Sequence, residues 1–275
     1  MPLSVIIIVL VAALFHATWN ALIKSGKDPL LESMLISAAW IVICLALIPI
    51  LPFPDSSSWP YAFITIFIHV SYFLLLSKSY SMGDFGAVYP IVRGLPPLIV
   101  TLVSVLVINE PLSFTGVLGV LLIGAGVLAL EAGNKRQSNK LILFALATAV
   151  MIAAYTVVDA LGARLSGSST SFFVWFTLFQ SIIYIGIVLH RRGREQCLKH
   201  IKKKWKHGFI GGLMSFSAYA IVLWAMTQAP IPYVSALRET SVLFASAIAI
   251  IFLSEPLRKS RIISAILIFA GILFI

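Results

Sequence analysis

Several ionisable side chains of this 275-residue chain stand in the middle of long apolar runs, where each needs a chemical reason to be. Arg93 falls about eight residues into the run 85–107, which is about 12 Å deep at 1.5 Å per helical residue and near the middle of a hydrocarbon core about 30 Å thick. A guanidinium at that depth costs at least about 2.5–3.5 kcal/mol, so it must face a hydrated cavity or a carboxylate. Paired N–H donors would let it hold a carboxylate or phosphonate, and a structural ion pair is the alternative. Its surroundings, Tyr89-Pro90-Ile91-Val92-Arg93-Gly94-Leu95-Pro96-Pro97, are rich in helix breakers and predict a kink packed against protein or water. Arg238 is a second deep guanidinium and is followed at once by Glu239. Adjacent helical residues point about 100° apart, so the two are not expected to share a face. Glu239 is the natural partner for Arg93 or Arg238, and if partly desolvated it is a candidate carrier of a coupling proton.

Further polar residues repeat this theme. His16 and Asn20 are four apart and form a polar stripe, with Trp19 beside them as a binding or interface aromatic. Tyr155 and Asp159 occupy matching positions in the second half, since Asn20-Ala21-Leu22 echoes Asp159-Ala160-Leu161. These pairs are expected to line the two mouths of one path. His69 and Tyr72 share a helix face, and Tyr219 and Trp224 offer ring faces for stacking or cation–π contact, with packing as the alternative use of each. Gln180 is expected to hydrogen-bond a neighbouring helix. Glu110 and Glu255 each precede a proline, which predicts helix starts capped by a carboxylate.

The elements that must position these groups follow from composition. Hydrophobic residues make up 60% of the chain and charged ones 11%, against about 25% charged in an ordinary soluble domain. So much apolar surface requires lipid as solvent, and the runs are too long and continuous for an outer-membrane barrel. The fold class is therefore an all-α polytopic membrane protein with about ten spans: 3–23, 30–51, 60–79, 85–107, 112–131, 140–160, 170–190, 208–228, 232–253 and 259–275. The apolar start reads as a retained first span, because it lacks the basic segment of a cleaved signal. Of the lysines and arginines between spans, 17 lie in odd-numbered loops and one, Arg164, in the others. That bias predicts cytoplasmic odd-numbered loops, external termini and residence in the inner (plasma) membrane. The stretch Arg191 to Lys206 carries eight positive residues and Glu195, so +7 of the net +10. It reads as a cytoplasmic loop meeting anionic lipid, rather than as a nucleic-acid surface.

The chain also repeats itself. Arg93, Glu110-Pro111-Leu112, Leu122-Ile123, Ala125-Gly126 and Leu128 recur 145 residues later as Arg238, Glu255-Pro256-Leu257, Leu267-Ile268, Ala270-Gly271 and Leu273. Two copies of a five-span unit, 1–133 and 134–275, must enter the membrane in opposite senses. Inverted repeats of this kind suit alternating access, with the site at the repeat interface. Gly116, Gly119, Gly124 and Gly126 read as small residues for close helix packing, not as a phosphate loop.

The segment His16-Ala17-Thr18-Trp19-Asn20-Ala21-Leu22-Ile23-Lys24, the Tyr89 to Gly94 segment and the two Glu-Pro-Leu motifs resemble the EamA family of the drug/metabolite transporter superfamily. The resemblance spans nearly the whole chain, one repeat per half. It implies a ten-helix inner-membrane carrier with a central cavity built by both bundles, and spans 5 and 10 as a symmetric pair outside it. Family members move small metabolites, often amino acids, and eukaryotic relatives carry nucleotide sugars. The Tyr-Pro-x-x-Arg-Gly form is similar to members placed with phosphonate utilisation. The second half departs from it, with Ser235-Ala236-Leu237 before Arg238. External termini are a second departure, since some eukaryotic relatives hold theirs inside.

The leading expectation is a secondary carrier for an amino acid, carboxylate or phosphonate-like metabolite, driven by protons or exchange and working as a monomer or homodimer. A channel or lipid scramblase is the alternative. A membrane-embedded enzyme would need a metal cluster, a diphosphate motif or a nucleophile–base pair, and none is legible. No cofactor or metal is expected: the five histidines are scattered, and Cys44 and Cys197 suggest neither a disulfide nor a ligand set.

Overall fold

The computed structural model describes residues 1–24, 28–82, 85–130, 138–253 and 259–275; the side chains of 21–24, 80, 85–90 and 248–253 lie outside the described set. Among the described residues the fold is all helical, as lipid demands of a chain that must satisfy its backbone internally. In order the helices are α1 (Leu3–Lys24), α2 (Pro29–Leu47), α3 (Trp59–Met82), α4 (Phe85–Val103), α5 (Phe114–Ala129), α6 (Asn139–Leu165), α7 (Ser169–Arg192), α8 (Arg194–Gln228), α9 (Ile231–Arg238), α10 (Ser241–Leu253) and α11 (Lys259–Phe274). Seven of the helical segments are long and apolar enough to cross a membrane. Short polar side chains set several starts: Asp28 accepts from Leu30 N, Ser113 from Gly116 N, Ser138 from Leu141 N and Ser168 from Ser171 N.

Packing mixes the two halves. α3 and α4 lie on α6, α1 lies on α8, and α2 lies on α7 and α8. Exchanging the halves maps the α3–α6 contact onto α8–α1, and the α4–α6 contact onto those of α9 and α10 with α1. The most extensive pair among the described helices is α5 with α11. A Cβ on Gly119 would stand 2.7 Å from the Gly271 carbonyl oxygen, and one on Gly271 2.6 Å from that of Gly119. Backbones can approach so closely only where both helices lack side chains, the use expected of the small residues here. The amino group of Met1 donates to the Ile275 carbonyl oxygen at 3.0 Å, so the first and last helices end at one face.

Three sequence expectations are corrected. The run 232–253 is not one helix: it divides at Glu239-Thr240, where Glu239, Thr240, Val242 and Leu243 bond three residues back instead of four. The expected loop 191–206 is helical. α7 runs to Arg192 and α8 begins at Arg194, leaving only Gly193, at φ 78°, between them. Lysine and arginine favour helix, so a high charge density does not by itself mark a loop. α5 begins after its N-cap Ser113, so Glu110 and Pro111 precede the helix rather than start it; Glu255 lies outside the described residues. α4 stays helical past Pro90, Pro96 and Pro97, and a π-helical stretch follows it at Ser104–Ile108.

Candidate functional site

The break after Arg238 brings the deep charges together. Arg93 on α4 is 4% exposed, Arg238 2% and Glu239 0%. Arg93 Nε lies 2.8 Å from Glu239 Oε2, and Arg238 Nε lies 3.4 Å from Glu239 Oε1. Adjacent residues thus do meet, because regular helix ends between them. One carboxylate from the second half holds a guanidinium from each half, and Arg93 Nη2 reaches Ser241 Oγ at 3.4 Å. The group carries a net +1, and Arg238 Nη2 is buried without a hydrogen-bond partner among the described residues.

A second cluster centres on Asp159 of α6, which is fully buried. Its carboxylate accepts from the hydroxyls of Thr65 on α3 and Tyr219 on α8, and His69 Nε2 lies 2.9 Å from Oδ2. Thr65 and His69 are one turn apart on α3, so both face α6. Rings close over the carboxylate: His69 stacks on Tyr155 at 4.3 Å between centroids, and Tyr219 stands edge-on to both, at 5.8 and 5.9 Å. Tyr72 meets Tyr155 at 5.3 Å. Helices of both halves build this cluster too. Tyr155 sits within electrostatic reach of Asp159 and of Arg93, Arg238 and Glu239.

The remaining candidates are placed differently. His16 is half-buried and within electrostatic reach of Arg93 and Arg238. It accepts at Nδ1 from Trp19 Nε1 at 3.2 Å, with the rings edge to face. Trp19 is buried, not an interface-belt ring. Asn20 donates to its own helix, at His16 O 2.8 Å, and is not paired with Asp159. Trp224 is 36% exposed and lines a separate cavity of about 570 Å³ with Arg164, Ser169, Thr227 and Gln228, so it does not join Tyr219. The side chain of Tyr89 lies outside the described residues. Gln180 is buried but makes no hydrogen bond to a described residue. Among the described residues no three histidine, cysteine or acidic side chains are grouped to hold a metal.

Sequence reasoning missed Thr65, although it lies four residues before His69. It also missed two polar clasps between the halves. At the face of the termini, Arg164 Nη2 binds Glu110 Oε1 at 2.7 Å while Arg164 Nε donates to Met226 O at 2.8 Å. Glu110 Oε2 accepts from Ile231 N at 3.2 Å, so this carboxylate caps α9, a helix of the other half. At the opposite face, Glu32 on α2 binds Lys204 on α8, with His200 Nε2 at 3.5 Å, and Asp28 binds Arg192 at 3.0 Å.

An all-helical bundle built from two interleaved halves, with buried charges shared between them, suits a membrane transporter. The EamA-like transporter family model matches residues 3–131 and again residues 139–275. The chain belongs to that family, a branch of the drug/metabolite transporter superfamily, and is a multi-pass membrane protein of the transporter class. One solved structure, described only as the crystal structure of a protein, shares this fold. It superposes with a TM-score of 0.76 at 19% identity, over 98% of this chain and 97% of its own.

Proposed function

We propose that this protein is a secondary carrier that moves a small polar metabolite by alternating access, across ten crossings in which α9 and α10 together make the ninth. The observation that carries the reading is the Arg93–Glu239–Arg238 group: a buried charge centre, assembled from both halves at a broken helix. Tyr155 feels both this +1 group and the Asp159 carboxylate. An amino acid would place its carboxylate at Arg238 Nη2, which has no hydrogen-bond partner among the described residues, and its ammonium at the Asp159 cluster. A monocarboxylate or phosphonate would use the arginine end alone and favour entry with a proton or in exchange. The bias of basic residues supports a reading in which these loop ends face the cytoplasm and the termini lie outside.

The test is a thermal-shift screen of the purified chain against amino acids, carboxylates, phosphonates, sugars and quaternary amines, repeated on Arg238→Gln. That substitution leaves Arg93 and Glu239 as a neutral pair, so the fold should survive it. A ligand that stabilises the native chain but not Arg238→Gln identifies the cargo class and the site together. Hits that persist unchanged would remove Arg238 from the site. In vesicles a carrier shows saturable uptake and counterflow of the same compound, whereas a channel or scramblase shows neither.

A further inference from the structure

The first four turns of α8 form a surface that the carrier reading does not use. At 35 residues α8 is about 52 Å long, well beyond a hydrocarbon core of about 30 Å, so these turns lie outside the apolar layer. Cys197 and Gly208 face α2: Cys197 is fully buried, and a Cβ on Gly208 would stand 2.7 Å from Leu35. Lys204 and His200 point the same way, toward Glu32. On the opposite side Lys199, Lys202, Lys203 and Lys206 are all exposed. Their spacing (i, i+3, i+4, i+7) gathers them into one stripe of an arc of about 100°. None pairs with an acidic side chain among the described residues, because Glu32 and Asp28 are taken by Lys204 and Arg192. Glu195, the one acid in the segment, stands at the outer end of the stripe and forms no ion pair within the same set.

The face then changes character without turning. One turn beyond Lys206 the same side of the helix shows Ile210, 51% exposed, and Leu213, 43% exposed. Trp205 stands at the change, 56% exposed, with the Lys206 ammonium 5.7 Å from its ring centroid. An exposed tryptophan between a cationic stripe and an apolar stripe marks the boundary between headgroups and acyl chains. The lysines therefore lie at headgroup depth and face away from the protein.

We propose that this stripe is a binding surface for anionic phospholipid headgroups. Each lysine at an anionic bilayer surface contributes about 1 kcal/mol, a preference of about fivefold, so even two engaged lysines enrich anionic lipid more than tenfold beside α8. The chemistry is that of several ammonium groups meeting phosphates spread along a surface. The arginine fork that would clamp one free phosphate is missing from the stripe.

The experiment uses the full chain in phosphatidylcholine vesicles containing phosphatidylglycerol, with bromine on the acyl chains of only one of the two lipids at equal content. Trp205 fluorescence is read as the difference between the chain and Trp205→Phe. Brominated phosphatidylglycerol should quench Trp205 severalfold more strongly than brominated phosphatidylcholine, and high salt should shrink the difference. The preference should vanish in a variant with all four lysines changed to Gln, and fall partway in Lys202→Gln/Lys203→Gln. All four are exposed, so folding is not at stake. Equal quenching by the two lipids in the native chain overturns the proposal, as does a preference that survives the four-lysine variant. A preference abolished by millimolar glycerol phosphate would assign the stripe to a soluble phosphate and also overturn it.

Discussion

Replacing Glu239 with Gln removes the one counter-charge that two buried arginines share, with nearly no change of shape. At 2.8 and 3.4 Å the two contacts each carry a gross attraction on the order of 5 kcal/mol at an effective dielectric of about 20. The net effect is smaller, because pairing must first offset desolvation, and breaking such a pair typically costs about 3–5 kcal/mol. At roughly 2–4 °C per kcal/mol for a chain of this size, Glu239→Gln should lower the midpoint of thermal unfolding by on the order of 10 °C. The assay is a double-mutant cycle in detergent with Arg93→Met. If Arg93 and Glu239 form a pair, the double variant is more stable than the sum of the two single losses, by about 1–3 kcal/mol. A Glu239→Gln protein within a degree of the native chain, or strict additivity in the cycle, would refute a shared ion pair at the centre.

Gly119→Leu should be strongly destabilising, by at least about 2 kcal/mol, because the Gly271 backbone already occupies that space. Gly186→Ala, with nothing within 4 Å of the added carbon, should instead raise the unfolding midpoint by the equivalent of about 0.5–1 kcal/mol. Glu110→Ala loses both an ion pair and the cap of α9, a cost of about 1–2 kcal/mol by thermal unfolding. Asp159→Asn should abolish the thermal shift produced by any amino acid hit while Thr65→Val only weakens it; an undiminished shift in Asp159→Asn would exclude the cluster from binding. In a chain freed of Cys44 and Cys197, an impermeant maleimide should label Thr227→Cys from outside intact cells and Lys203→Cys only after lysis, and the reverse would invert the topology.

The charged centre was half legible in the sequence. Arg93 and Arg238 were costly enough in lipid to demand a carboxylate, and Glu239 was near at hand. What periodicity could not supply was the helix break, since an unbroken α-helix would have turned Arg238 and Glu239 apart. Thr65, His69, Tyr155, Asp159 and Tyr219 come from three helices, and only the packing of α3 and α8 on α6 unites them. Trp224 shows the opposite error. It lies five residues, about 140° of helix, from Tyr219, so the two rings never shared a face. Glu110 misled for a local reason: a proline after it suggested a helix start, but Ser113 is the better cap two residues later.

The ion pairs joining the two halves differ in a way that bears on how the proposed cycle would move. At the two ends the cationic partners are open to solvent, with side-chain exposures of 30% for Arg164, 29% for Lys204 and 39% for Arg192. The Glu110 and Glu32 carboxylates are 8% and 7% exposed, so separating these pairs costs more than the roughly 0.2–1 kcal/mol of a fully exposed pair, but water can reach the cation as it leaves. At the centre the side chains are at most 5% exposed, and separation without water would strand charges at several kcal/mol. In the proposed cycle the two halves would therefore be hinged where charge is most deeply buried and latched at the rims. Rocking about the Arg93–Glu239–Arg238 group can release the Glu110–Arg164 clasp at one face while the Glu32–Lys204 clasp holds the other, and each release leaves the centre intact. An arrangement with exposed pairs at the centre and buried ones at the rims would favour the opposite, a bundle that splits through its middle and leaks.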